Sequence, residues 1–458
     1  MSFGLGQNWH VSDGLCYLPG SKVFDYAAGS AWGAVPPHTD VEKWNQIFYH
    51  TSWLGIDFIR LIIEQHMYCP EKDGVYTWES NEMKNLYRVL DWCESNKVDV
   101  FLTEQFAHTP WNCPPDAKSV VIHSPVNVDA WAQAYAAMVD LLVNKKHYTC
   151  IKCLNIGNEP ERGFKGTDGW SWKDGASWSE GLDKAIHYVR EVKGIPIPFA
   201  GPDDYCRVDT VRTDKRLGIY ELHRYQVNTT NPDAAFANWI DSARKEGKPF
   251  FLGEFGGWIA NPGQQSHSYR YNIGVVAWTI KELNMGVDGM LRWNFINRGD
   301  LDGDWQMIDT FDTLNNTYYT KINPHPNTYF TQGLLSRFTA KNSIILKTLT
   351  NNNAINAAAL KTKNGNYTAF VVNTDSIISY KMTLTLGNLN GNLKLYRYKV
   401  TPVDAEKTDI KITFSALFQL NFQSNIFVDK LEANSLFIYT TYKLEPGEKG
   451  IIVDTKDK

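Results

Sequence analysis

Two short stretches hold side chains able to do acid–base and nucleophilic chemistry on one substrate. In NIGNEPER, residues 155–162, Asn158 and Glu159 stand where the apolar run IKCL ends. In FFLGEFGGW, residues 250–258, Glu254 stands at the end of a second apolar run, with Gly253, Gly256 and Gly257 beside it. Pro160 cannot donate to a strand ladder and stiffens the turn that carries Glu159. Two carboxyl groups converging from distant parts of a chain are what cleavage of a glycosidic bond requires. One protonates the leaving oxygen; the other attacks the anomeric carbon or activates water.

The elements that must position them are legible. Apolar runs at 3–9, 56–62, 98–103, 151–156, 197–201, 218–223, 249–253 and 287–292 are mostly continuous, as in parallel strands covered on both faces. Between them, Val41, Trp44 and Phe48 recur at helical spacing. So do Met83, Leu86 and Leu90, and Trp131, Tyr135, Met138 and Leu142 within 127–144. Stretches 232–246 and 267–284 add two more amphipathic segments. Ser80 and Asn127 are placed as helix N-caps, Gly55 and Gly194 as helix stops. Eight strands with interleaved helices predict an α/β fold, a (β/α)8 TIM barrel over residues 1–336. A doubly wound sheet is the competitor, but no Gly-rich phosphate loop follows an early strand. In such a barrel the ends of strands four and seven face each other across the mouth where active sites are built. From Ser343 onward apolar and polar residues alternate in at least six short runs, and Asn364-Gly365 between two of them signals a hairpin. This predicts a small antiparallel β-sandwich over 337–458, with a helix at 327–338 leading into it.

Composition narrows the function classes. Lys plus Arg is 46 against 50 Asp plus Glu, a balance that favours neither a nucleic-acid nor an anionic-membrane partner. Aromatic residues make up 13% of the chain, and flat rings with a polar edge suit the apolar faces of sugars. Seven cysteines, all in the first half, are too few and odd in number for a disulfide scaffold. Cys150-x-x-Cys153 opens a strand with no second pair to complete a zinc site. With no signal-like or membrane-spanning run, the expected location is the cytoplasm, or outside the cell after removal of an export signal.

Asn-Glu-Pro closing strand four and a lone Glu closing strand seven resemble clan A glycoside hydrolases, the 4/7 barrels. Four more positions match: Arg60 ends strand two in FIRL, His223 and Tyr225 end strand six in ELHRY, and Trp293 ends strand eight in LRWN. The barrel with a C-terminal sandwich looks like families thirty and thirty-nine, the His-x-Tyr spacing like family five, so the likeness is to the clan over residues 1–335. The resemblance implies a retaining mechanism with no cofactor, carried by two glutamates: Glu254 as nucleophile, kept ionised by Arg60 and bonded by Tyr225, and Glu159 as acid/base. It implies that the pKa of Glu159 is raised by nearby negative charge, that Asn158 binds the sugar 2-hydroxyl, that His223 and Tyr225 support the nucleophile, and that Trp293 floors the cleavage subsite. The expected activity is hydrolysis of β-linked oligo- or polysaccharide, with long loops at 11–39, 63–79 and 160–176 favouring exo-action. An open-cleft endo-glycanase and a sugar-binding barrel without turnover are the alternatives. A Schiff-base aldolase would need a lysine at a strand's end, and Lys152 lies at a beginning.

Further candidates for contact with sugar hydroxyls lie at the same level: Trp9 and His10 after strand one, Glu64 and Gln65 after strand two, Glu104 and Gln105 after strand three, and Asp203 after strand five. Trp170, Trp172 and Trp178 crowd the loop after strand four, as sugar platforms or as pins for the loop. RGDLDGDW, 298–305, opens like a calcium loop, but Phe311 stands where the bidentate Glu belongs, so no metal is expected there.

Overall fold

The computed structural model describes residues 3–10, 34–105, 109–114, 123–160, 171–172, 175–205, 214–226, 234–257, 267–297, 305–387, 392–402, 415–420 and 425–444. The eight apolar runs form the parallel strands β1 (Gly4–His10), β2 (Phe58–Ile63), β3 (Asp99–Glu104), β4 (Ile151–Asn155), β5 (Ala200–Tyr205), β6 (Ile219–Gln226), β7 (Phe250–Gly257) and β8 (Gly289–Ile296). Their order is β4-β3-β2-β1-β8-β7-β6-β5. The bridge Leu154–Phe199, with Leu154 N–H donating to the Pro198 carbonyl at 3.0 Å, brings β4 to the β5 side and nearly closes the ring. The interior is a packed apolar layer of Phe58, Phe101, Cys153, Ala200, Ile219, Phe251 and Leu291, plugged by Phe3. Gly6 allows β1 this close to β2, since a Cβ there would lie 1.6 Å from the Phe58 carbonyl oxygen.

Helices α1 (Val41–Leu54), α2 (Asn81–Asn96), α3 (Val128–Asp140), α4 (Trp178–Ile186), α5 (Ala234–Lys245), α6 (Tyr269–Met285) and α7 (Pro326–Arg337) cover the outside. Ser80 accepts from the Met83 N–H and Asn127 from the Ala130 N–H, the caps expected of them. Gly55 ends α1 at φ 61, and Gly194 takes φ 68 just after the π-helical continuation of α4. An antiparallel hairpin, β9 (Ile308–Asp312) and β10 (Thr317–Pro324), lies between β8 and α7, where the sequence pattern predicts no strands. Its turn is built on Asp312, whose Oδ1 accepts from the N–H groups of Leu314 and Asn315.

The C-terminal segment is all-antiparallel. Strands β11 (Ile344–Leu346), β12 (Ile355–Lys361), β13 (Tyr367–Asn373), β14 (Tyr380–Thr385), β15 (Leu393–Val400), β16 (Ala416–Leu420), β17 (Ile426–Leu431) and β18 (Ser435–Thr440) form a six-stranded sheet, β11-β12-β13-β18-β15-β16, and a β14–β17 ribbon. Val371, Leu395, Phe427, Leu431, Phe437 and Tyr439 fill the space between them. Gly365, at φ 84, turns the β12–β13 hairpin. The opposite face of the sheet packs on the barrel: Asn284 of α6 donates to the Ala357 carbonyl, Tyr269 to that of Val400, and Phe338 packs against Tyr398 with the rings tilted. No helix among the described residues is long and apolar enough to cross a membrane.

Candidate active site

The mouth of the barrel is organised around Arg60, which is fully buried on β2. Its Nε donates to Thr103 Oγ1 at 3.0 Å. Nη1 donates to Glu254 Oε1 at 2.6 Å and Asn8 Oδ1 at 3.1 Å, and Nη2 to Asn158 Oδ1 at 3.0 Å and Asp203 Oδ2 at 2.9 Å. Burial alone would favour loss of its proton, but Asp203 and Glu254 more than offset that and raise its pKa.

Glu254, on β7, accepts from Tyr225 Oη at 2.6 Å through its second oxygen. Glu159 follows β4 in a left-handed conformation, φ 44, and its Oε1 lies 2.9 Å from His223 Nδ1. The same nitrogen is 3.4 Å from Glu254 Oε2. One oxygen of each glutamate and a nitrogen of His223 lie within 4.8 Å of one another, so barrel closure brings residues 159 and 254 together. The Glu254 pKa is raised: burial pushes it up, His223 and Arg60 pull it back, and the charge of Glu159 adds to the rise. Arg60, from which the resemblance implied support for the ionised carboxylate, is with His223 among the groups that oppose the rise.

The turn carrying Glu159 is pinned from behind. Asn155 Oδ1 accepts from the N–H groups of Ile156 and Gly157. Trp172 Nε1 donates to the Ile156 carbonyl at 2.6 Å, and Ser171 Oγ to the Asn158 carbonyl at 2.8 Å. A Cβ on Gly157 would meet the Trp172 ring at 2.8 Å. Trp172 is therefore a buried loop pin and Trp178 is buried as the first residue of α4, while Trp170 and residues 298–304 of the calcium-like stretch lie outside the described residues.

Beneath the glutamates, His223 Nε2 contacts Asp203 Oδ1 and lies 3.5 Å from Glu221 Oε1. Burial disfavours a charged imidazole, yet Asp203 and Glu254 raise the His223 pKa well above its ordinary value. Burial also lifts Asp203, but Arg60 and His223 pull harder and leave its pKa lowered. Burial and then the charge of Asp203 raise the Glu221 pKa well above its ordinary value, against the opposing pull of His223 and Arg60.

Trp293 of β8 packs with Ile62 and Trp305, flanked by Tyr225 and Tyr271. Trp305, the last residue of the calcium-like stretch, enters this aromatic wall.

Three expected contacts are displaced by one strand phase or one loop. Trp9 is fully buried behind β1 against Trp44, Phe48 and Phe295; its neighbour Asn8 faces the site. Glu104 points away from the mouth, bonded by Tyr68 Oη and Trp131 Nε1, while Thr103 faces Arg60. Burial pushes the Glu104 pKa to about 8 against those two hydrogen bonds. Glu64 caps the short helix Gln65–Met67 and pairs with His66 at 3.2 Å, and Gln65 donates to the Trp131 carbonyl. Gln105 is buried, and its carbonyl accepts from the Asn158 N–H. The side chain of His10 lies outside the described residues. Lys152 donates to the Thr149 carbonyl at the opposite end of the barrel. The described cysteines, Cys150 and Cys153 included, are free thiols.

Comparison with known proteins agrees with this geometry. A search of curated proteins finds no match. Solved structures with the same fold include a family 30 endoxylanase from Clostridium papyrosolvens C71, at 14% identity, TM-score 0.57 and 96% coverage of both chains. A monomeric β-xylosidase from Caulobacter crescentus CB15 matches at 13% identity, TM-score 0.61 and 96% of both chains. A family 39 enzyme from Xanthomonas axonopodis pv. citri matches at 11%, TM-score 0.59, over 87% of this chain and 90% of that one. The sequence model of one family, Cellulase (glycosyl hydrolase family 5), matches residues 20–297, more than half of the chain, with Arg60, Glu159, His223 and Glu254 inside the match. The chain therefore belongs to glycosyl hydrolase family 5, within the retaining clan A glycoside hydrolases whose 4/7 barrel its fold reproduces.

Proposed function

We propose that the protein hydrolyses β-linked oligo- or polysaccharide with Glu254 as nucleophile and Glu159 as acid/base. The approach of the two carboxyl groups carries this reading: their oxygens come within 4.8 Å, in keeping with the roughly 5–5.5 Å carboxyl separation of retaining enzymes and too close to seat a water for inversion. In the first step Glu159 gives its proton to the glycosidic oxygen as Glu254 bonds to the anomeric carbon and the leaving group departs. In the second, Glu159 takes a proton from water, whose oxygen displaces Glu254 and restores its carboxylate. Arg60 and Tyr225 hold the two oxygens of Glu254 along the attack path. Arg60 also occupies the Asn158 carboxamide oxygen, which leaves the amide nitrogen to grip a sugar 2-hydroxyl more tightly in the transition state. Trp293, with Trp305 and Tyr271 beside it, offers the apolar platform for the ring.

The long segments after β1, β2 and β4 favour exo-action or short oligosaccharides. Release of single sugars from chain ends supports that; mixed internal fragments early in the reaction point to endo-action.

Chemical rescue tests the roles. In Glu254→Ala, added azide attacks from the emptied side and yields the α-glycosyl azide. In Glu159→Ala, azide replaces water on the glycosyl-enzyme and yields the β-glycosyl azide. Variants that cleave aryl β-glycosides as the wild type does overturn the assignment.

A further inference from the structure

We propose that Asp203 is a positioning residue that ties the two glutamates into one charge network, through Arg60 on one side and His223 on the other. The inference rests on the reading of Glu159 and Glu254 as the reacting pair and adds a residue outside it. Asp203 touches neither glutamate. It is fully buried at the end of β5, in a left-handed conformation at φ 64. One carboxylate accepts from Arg60 at 2.9 Å and from Asn155 Nδ2 at 2.6 Å, and contacts His223 Nε2. Each partner reaches the pair from a different direction. Arg60 bonds Glu254, His223 bonds Glu159 and approaches Glu254, and Asn155 holds the first two N–H groups of the turn that carries Glu159.

A single buried anion in contact with two cationic groups does more than fill space. An imidazole with Nε2 against Asp203 and Nδ1 against Glu159 has a carboxyl group facing each nitrogen, an arrangement that favours the doubly protonated form, and Asp203 is the anion that stabilises it. The described charged or titratable groups around His223 are Glu159 after β4, Asp203 on β5, Glu221 on its own strand, Glu254 and Tyr225 at the mouth, and Arg60 across it. Glu221 stands 3.5 Å from the same imidazole nitrogen that Asp203 contacts directly, so Asp203 is the nearer counter-charge beneath the ring. With His223 charged, both glutamates sit beside a cation and titrate lower than they would beside a neutral ring.

The sign of a pH shift tests this. In Asp203→Asn the proposal requires His223 to lose its proton, so both limbs of the kcat/KM profile on an aryl β-glycoside move to higher pH by about one unit. The rate falls about 100-fold as the turn and guanidinium loosen. Asp203→Glu restores the wild-type limbs, and in a His223→Gln background, where no imidazolium is left to lose its proton, Asp203→Asn no longer moves them to higher pH. Limbs that move to lower pH, as loss of a negative charge alone would cause, overturn the proposal, and so does a rate loss with limbs unmoved. Should Asp203→Asn not fold, 15N NMR of the wild-type imidazoles, assigned with His223→Gln, decides the matter. An imidazolium at neutral pH supports it, and a neutral ring overturns it. A wild type as inactive as Glu254→Ala would instead sink the underlying two-glutamate reading.

Discussion

Glu254 and Glu104 are both glutamates at the C-terminal ends of barrel strands, both buried, and both carry two short hydrogen bonds; they live on opposite faces of the sheet. Glu254 faces the barrel axis, where Arg60 and His223 supply positive charge and Glu159 a second carboxyl. Glu104 faces the helices, where Tyr68 and Trp131 supply only neutral donors. Burial raises both, but only on the inner face do cations oppose it. A buried carboxyl becomes a reagent through its surroundings. The outer one is a protonated strut that fastens the loop after β2 and α3 to β3.

The sharpest way to break this contrast is a pair of amide substitutions. Glu254→Gln is expected to lower kcat by about 10³-fold or more, whereas Glu104→Gln, which replaces a neutral acid by a neutral amide, leaves kcat within about twofold. Steady-state assays of the two, each with a circular dichroism spectrum, check it; comparable losses would erase the distinction between the faces.

The tryptophans extend the comparison to stability. Trp9→Ala empties a core site behind β1 and is expected to cost about 3–5 kcal/mol in denaturant melts while the folded fraction keeps its activity. Trp293→Ala, in the mouth, should act mainly on KM and kcat. A large KM change in Trp9→Ala would return that residue to the site.

Gly157→Ala probes the connection between the faces, because its Cβ would press on Trp172 and displace the turn bearing Glu159. About 1–3 kcal/mol of stability and about tenfold in kcat should be lost together. An unchanged kcat would mean the turn tolerates the shift.

The smallest effect is a slope. The folded pKa of Glu104 is raised to about 8, so its contribution to stability is fully present below the unfolded carboxyl range near 4.5 and is lost as pH rises toward 8. Glu104→Gln should flatten that part of the stability–pH curve, read by urea melts at pH 5 and pH 8.

Much of the fold was legible because it depends on local patterns. Continuous apolar runs need cover on both faces, and period-two runs after Ser343 need it on one, so barrel and sheets followed from pattern alone. The β9–β10 hairpin escaped because its turn is an Asx turn on Asp312, without the Asn-Gly pair that marked β12–β13. In the site, Glu159, Glu254, Asn158, Arg60, His223 and Tyr225 converge as expected. Asn8, Thr103, Asn155, Glu221 and Trp305 were missed. Glu221 alone had a signal in reach: it stands two residues before His223, on the same face of β6.

What the sequence determined, then, is chemistry by type and level: which strand ends carry carboxyl, guanidinium, imidazole and indole groups. Only the tertiary structure decided facing and partnership. Side chains alternate every residue along a strand, so a one-residue error in phase exchanges Asn8 for Trp9 and Thr103 for Glu104. Irregular register between β5 and β6 and between β6 and β7 resets that phase where Asp203 and His223 stand. Ring closure alone sets residues 60, 159, 203, 223 and 254 around a single small volume. Their charges, repulsive or costly one at a time, become stable only as a set.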